Sequence, residues 1–230
     1  MDPRFPGFPP EAMTFFRQLE RNNNREWFQP RKEHYEQFAK APMLELVSAL
    51  NREMERHLPN YTTEPKKAML RIYRDTRFSA DKTPYKTHLA ASFNRHGFAD
   101  AGGSGLFFSV SHKQIEIAGG VYEPAPETLL AIRTHIAETH AQFRKFISAK
   151  KLRQLMGELK GEELTRAPKG FPADHPALDL LKKKRWVFYV TLDSSLATTP
   201  ELAPAILSRF RVLGDVLDYL DAPLLAKKRP

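Results

Sequence analysis

The hydrophobic period of this chain changes twice, and that constrains its fold more than any other feature. Residues 10–21 set Ala12, Phe15, Phe16 and Leu19 at the i, i+3, i+4, i+7 spacing of an amphipathic helix. Asn22-Asn23-Asn24 stops it, because asparagine side chains compete for backbone hydrogen bonds and favour caps and turns. A second helical stretch runs from about Arg25 to Phe38, with Trp27, Phe28, Tyr35 and Phe38 as its apolar side. Pro42 opens a third, with Met43, Leu46, Val47, Leu50 and Met54 on one stripe. The period then drops to two. Ala68–Arg74 and Leu89–Phe93 read as strands. Leu106–Ser111 and Gln114–Ala118 read as a hairpin turning at His112-Lys113, although that pair is not a favoured turn dipeptide. Gly119-Gly120 ends or kinks its second strand, or makes a bulge there.

Helical spacing returns over Glu127–His140, with Leu129, Leu130, Arg133, Ile136 and Ala137 along one side. Phe143, Phe146 and Ile147 start another helix. Residues 157–176 carry the Gly and Pro of a loop, and a short helix follows at about 177–183. Trp186–Leu192 is nearly all apolar, which predicts a central strand covered on both faces. A long last helix spans about 199–220. Thr198-x-x-Glu201 can form its capping box, and Leu202, Ile206, Leu213, Leu217 and Leu220 line its buried side. Helices, then strands, then helices with one late strand spell an α+β fold: a mostly antiparallel sheet packed by helices, with a helical N-terminal region and a long C-terminal helix. No repeat or low-complexity linker marks a boundary, so one domain is expected over 1–222, with 223–230 as a basic, frayed tail.

Composition excludes several classes. The 230 residues are 41% hydrophobic, with 11 glycines, inside the globular range. The longest apolar run, Trp186–Val190, is far short of the ~20 residues a membrane span needs. The opening MDPRFPGFPPEAM has no apolar core of signal-peptide length, so the cytoplasm is the simplest address. Without cysteine there is no thiol nucleophile and no cysteine-ligated metal. GxxxxGK[ST], GxGxxG, GxSxG and HExxH are all missing. His135 and His140 sit about 140° apart around a helix, which is wrong for sharing an ion. No metal and no cofactor are expected.

What remains is charge. Thirty-six basic against 27 acidic residues give +9, which suits an anionic partner. Lys66, Lys67, Arg71, Arg74, Arg77, Lys82 and Lys86 face only Asp75 and Asp81, so the window 66–86 alone carries +5. Lys182–Arg185 and Lys227-Lys228-Arg229 are further clusters, read as solvated surface. Three arginines within seven residues put planar, bidentate donors for phosphate or carboxylate at a strand end. Asp75 can hold one of them in place, and Pro84 restricts Thr83 and so aims Lys82 against Tyr85 and Lys86. The competing reading is an internal network in which Asp75, Glu26 and Asp81 neutralise the arginines.

This segment also carries a resemblance. Arg71-x-x-Arg74-Asp75-x-Arg77-Phe78-x-x-x-Lys82-x-Pro84-Tyr85-Lys86 is similar to the signature of the bacterial domain-of-unknown-function 2461 family. Phe5-x-Gly7-Phe8, Asn23 to Phe28, Gly119-Gly120 and Pro168-x-Gly170-Phe171 resemble that family too, so the likeness spans nearly the whole chain. It implies a single bacterial-type cytoplasmic domain with a special site at 71–86, and it supplies no reaction.

The ligand-binding candidates are therefore Arg71, Arg74, Arg77, Lys82 and Lys86, with Asn24 and Trp27 as a second group at a helix junction. Gly102–Gly105 reads as a flexible loop that can also wrap a phosphate. If the chain is an enzyme, which its sequence leaves open, Asp75, Glu26 and Tyr85 are the acid–base candidates. The leading expectation is a basic pocket for a small phosphorylated or carboxylated ligand. The first alternative is weak nucleic-acid binding by the same segment, with Tyr73, Phe78 and Tyr85 as stacking surfaces. The second is a scaffold whose charged motif is a salt-bridge network. No membrane partner is expected, and the oligomeric state stays open.

Overall fold

The computed structural model describes residues 5–98 and 102–226. Ala101 and the Lys227-Lys228-Arg229 cluster lie outside the described residues. The fold is α+β, built on a four-stranded antiparallel sheet in the order β1 (His88–Asn94), β2 (Gly105–Ser111), β3 (Gln114–Val121), β4 (Trp186–Asp193). The helices are α1 (Pro10–Arg21), α2 (Arg25–Phe28), α3 (Lys32–Tyr35), α4 (Ala41–His57), α5 (Pro65–Ala68), α6 (Pro126–Ile147), α7 (Lys150–Met156), α8 (Leu178–Leu181) and α9 (Leu202–Ala226). Among the described residues, no helix is long and apolar enough to cross a membrane.

The chain forms two compact units. The first takes the described residues up to Phe93 with Phe107–Ile117 and Thr191–Leu207. Here α1 and α4 bury the stripes that their spacing marks: Ala12, Phe15, Phe16 and Leu19, then Met43, Leu46, Val47, Leu50 and Met54. Each fully buried large apolar side chain contributes about 1.5–3 kcal/mol. The helix expected over 25–38 is instead broken. After α2 come a 3₁₀ turn at Gln29–Arg31, α3 and a π-turn at Glu36–Lys40, leading into α4. Pro30 supplies no backbone donor to an α-helical ladder, which fits the 3₁₀ turn around it.

The β2–β3 hairpin does turn at His112-Lys113, with no left-handed residue to help. Ser111 takes that role: its Oγ accepts from Lys113 N at 3.2 Å and Gln114 N at 3.0 Å, and donates to Gln114 O at 2.8 Å. Glu20 clasps the turn from α1, pairing with Lys113 and lying 3.2 Å from His112 Nε2.

The second unit takes Asn94–Leu106, Ala118–Val190 and the described residues from Ser208 on. Its helix α6 is interrupted by a kink at Thr139, where φ −128° and ψ 24° are non-helical, next to the boundary expected after His140; Thr139 Oγ1 donates back to His135 O at 2.7 Å. Leu130, expected on the apolar side, is exposed; Ala131, Ile132, Arg133, Ile136 and Phe143 are buried. Phe143 stacks on Tyr219 of α9 at 4.7 Å.

Two strand expectations are corrected, and one set of alternatives is narrowed. Strand β4 is an edge strand, so only Trp186 and Phe188 are fully buried while Val187, Tyr189 and Val190 are partly exposed. Its outer edge is covered in part, because Val187 exchanges two backbone hydrogen bonds with Lys160. Of the alternatives for Gly119-Gly120, an end to β3 is excluded, because the strand runs on to Val121. Gly120 has φ +136°, and a Cβ there would stand 2.1 Å from Trp186 O, so its bare backbone lets β4 approach closely, whereas Gly119 makes room for Leu213 and Leu106. Residues 68–74 are no strand: Ala68 ends α5, and only isolated bridges follow, Met69 to Ala91 and Tyr73 to Tyr85.

At α9 the expected buried side is all buried. The helix begins at Leu202, and the Thr198 hydroxyl donates to Ser195 O at 3.3 Å, inside the preceding 3₁₀ turn Ser194–Thr198, instead of capping it.

Candidate functional site

The basic segment is a small hairpin of its own in the first unit. Arg74 N donates to Pro84 O at 2.9 Å and Lys86 N to Ile72 O at 2.8 Å, so 72–74 runs antiparallel to 84–86. Pro84 carries no N–H, which keeps this pairing short, but its carbonyl is free to accept. Ile72 and Tyr85 anchor the base by burial, and the Tyr85 ring stacks on Phe28 at 4.1 Å.

Both acids of the loop shape its backbone. Asp75 Oδ1 accepts from Arg77 N at 3.2 Å, and Asp81 Oδ1 from Thr83 N at 2.9 Å. Each is an Asx turn, in which a carboxylate mimics a backbone carbonyl two residues on. Each acid also holds an arginine. Asp75 takes Arg77 Nε at 3.0 Å and Nη2 at 2.8 Å, and Asp81 pairs with Arg74, which also contacts the Thr83 hydroxyl. The Arg77 side chain, then its N–H, hold the Asp75 carboxyl below the usual range. The Thr83 N–H and the Arg74 guanidinium hold Asp81 down to about 2. Lys82 Nζ donates across the loop to Thr76 O at 2.9 Å.

Asn23 ties this hairpin to the N-terminal helices. Its Nδ2 donates to Tyr85 O at 2.9 Å and its Oδ1 accepts from Tyr85 N at 3.1 Å, as a neighbouring strand would. The sequence shows a run of three asparagines where one suffices to stop a helix, and that surplus is the only local sign of this role. Asn24 is the cap, accepting from Trp27 N at 2.8 Å. Trp27 lies 5.6 Å from Phe15 and carries the Arg31 guanidinium at 4.6 Å from its ring centroid. Of the acid–base candidates, Asp75 is committed to Arg77, Glu26 is exposed outside both ion pairs, and Tyr85 is buried, its hydroxyl pushed up by burial.

A profile of the family described as "Conserved hypothetical protein (DUF2461)" matches residues 11–219. The chain belongs to the DUF2461 family. No curated protein and no solved structure matches it. The match contains the whole hairpin, and the family's description names no activity.

Within this DUF2461 chain, the cations of the segment do not all turn to one point. Arg74 and Arg77 each face their own carboxylate. Arg71 is exposed and Lys86 half-buried, and neither makes a salt bridge among the described residues, although the Arg71 charge helps to lower the Asp75 carboxyl. Burial first, and the Arg71 charge second, lower the Lys86 pKa. His88 comes next and is lowered by burial and then by Lys86, with Glu116 opposing. Phe78 stands 96% exposed at the loop tip, its ring centroid 5.8 Å from the Arg77 guanidinium carbon.

In the other expected phosphate loop, Gly102–Gly105, the Ser104 amide is already engaged. Ser104 N donates to Asp221 Oδ1 at 2.8 Å and Ser104 Oγ to Oδ2 at 2.7 Å, which pins the end of Gly102–Gly105 to a fully buried carboxylate. Among the described residues no group of three or more histidines, aspartates and glutamates could hold a metal ion.

Proposed function

We propose that the protein binds a small phosphorylated or carboxylated ligand at the face of the 71–86 hairpin marked by Arg71 and Lys86. The observation that supports this is the division of the charges. Two arginines pair with internal carboxylates and hold the loop in shape, whereas Arg71 and Lys86 are neighbouring cations in no salt bridge among the described residues, Arg71 feeling only the charge of Asp75, which Arg77 already binds. A half-buried ammonium beside a guanidinium is unfavourable alone, and an anion placed between them offsets that cost. Guanidinium supplies the bidentate contact and ammonium the point charge. The proposal is one of binding and assigns no reaction. A thermal-shift screen over phosphate- and carboxylate-containing metabolites tests it, because a ligand of the folded state raises the apparent Tm. Stabilisation by at least one anion, lost in Arg71→Ala, is expected; no stabilisation by any anion contradicts it.

A second reading rests on Phe78. An aromatic ring this exposed beside Arg77, with Tyr73 also exposed, is a platform on which a base of single-stranded nucleic acid can stack. It needs affinity that falls with salt at a slope set by the phosphates neutralised. Oligothymidylate titrations at several salt concentrations separate the two readings.

A further inference from the structure

The second unit contains an open cleft of about 400 Å³, whose lining includes three cations, Arg133, Lys184 and Arg185, against one carboxylate, Glu123. Arg133 is the unusual member. It is only 8% exposed, and its Nη2 donates to Lys183 O at 3.0 Å. Its Nε is buried without a hydrogen-bond partner, and no carboxylate pairs with it among the described residues. A buried guanidinium without an ion-pair partner is unfavourable unless something completes its bonding. Burial accordingly lowers its pKa.

The rest of the lining indicates what that partner is. Arg185 and Lys184 share Glu162, at 3.0 and 3.6 Å, which tempers those two cations and leaves Arg133 as the one without an acid. Arg185 also lies over the Tyr122 ring, 4.6 Å from its centroid, and fixes that half-exposed aromatic at the mouth. Leu129, Leu164 and Pro124 give the remaining wall an apolar surface. An acidic head and an apolar or planar body are thus both provided for.

We infer that this cleft is a second binding site, taking a small organic anion whose phosphate or carboxylate meets Arg133 and whose apolar body lies against Leu129, Leu164 and Tyr122. The inference is independent of the reading of residues 71–86. Phenyl phosphate is the probe, with inorganic phosphate as the control that lacks the body. Calorimetric titration should show saturable binding of phenyl phosphate to the full chain and to the Arg71→Ala/Lys86→Ala double variant, with inorganic phosphate weaker. Arg133→Gln keeps a donor for Lys183 O but loses the charge, and should weaken binding by more than about tenfold. Tyr122→Ala, at an exposed position, should weaken it by several-fold. No saturable binding to the native chain overturns the inference, as does undiminished binding to folded Arg133→Gln. If Arg133→Gln does not fold, unchanged binding to Tyr122→Ala overturns it. Binding lost in the double variant places the response at 71–86 and overturns it too.

Discussion

Asn23 pairs with the backbone of Tyr85 through both ends of its amide, at 2.9 and 3.1 Å, across 62 residues of sequence. That contact fixes the basic hairpin against the N-terminal helices. Asn23→Ala leaves a part-buried N–H and C=O unpaired, so it should cost about 1–3 kcal/mol. Asn24→Ala removes a helix cap and should cost about 0.5–2 kcal/mol. Urea midpoints compare them, and a neutral Asn23→Ala would show the pairing to be incidental.

Asp81 makes the loop sensitive to acid. Its folded pKa of about 2 lies below the ~3.9 of an unfolded chain. A depressed carboxylate stabilises the fold above the unfolded pKa and loses that contribution as pH falls through the folded one. The loop should therefore keep its shape down to about pH 4 and loosen towards about pH 2. Carboxyl-carbon NMR of Asp81 reads this directly, and a midpoint near that of free aspartate would show that Thr83 and Arg74 do not hold it.

The glycines separate backbone need from mere tolerance. Gly120→Ala would put a Cβ 2.1 Å from Trp186 O at φ +136°, and should cost about 3 kcal/mol or more. Gly157→Ala meets nothing within 4 Å, and its cost is that of the backbone alone, φ +72° and ψ −143°, about 1–3 kcal/mol. Equal thermal shifts for the two would contradict the close approach of β4.

Phe78 is exposed enough that Phe78→Ala should change stability by no more than about 0.5 kcal/mol. If nucleic acid stacks there, the same change should weaken oligothymidylate binding by about 1–3 kcal/mol. An unfolded Phe78→Ala would mean that the ring packs rather than presents itself.

Much of the fold was legible because long amphipathic stretches carry their own signal. The stripes of α1, α4 and α9 are buried residue for residue. Errors came where neighbours decide the outcome. The apolar run of β4 looks central, yet which strand ends a sheet is a property of topology rather than of the strand. The alternation of 68–74 was outweighed by Pro65, which starts α5, and by Pro84, which limits pairing opposite. At the site, the crowding of charge was visible, and so was an acid holding an arginine. The division of labour was not. Asp-x-Arg and Asp-x-Thr are Asx-turn patterns that could have been read at 75–77 and 81–83, whereas the Asn23 contact and the buried Arg133 depend on residues distant in sequence.

The central claim is that Arg71 and Lys86 form an anion site while Arg74 and Arg77 hold the loop. Calorimetric titration of pyrophosphate into the native chain, Arg77→Ala and the Arg71→Ala/Lys86→Ala double variant tests it most directly. The account predicts saturable binding to the native chain, a reduced but measurable affinity in Arg77→Ala, a weaker response in the folded double variant, and none once Arg133→Gln is added to it. Binding as strong in the double variant as in the native chain, binding that survives in the triple variant, or none in the native chain, would contradict it.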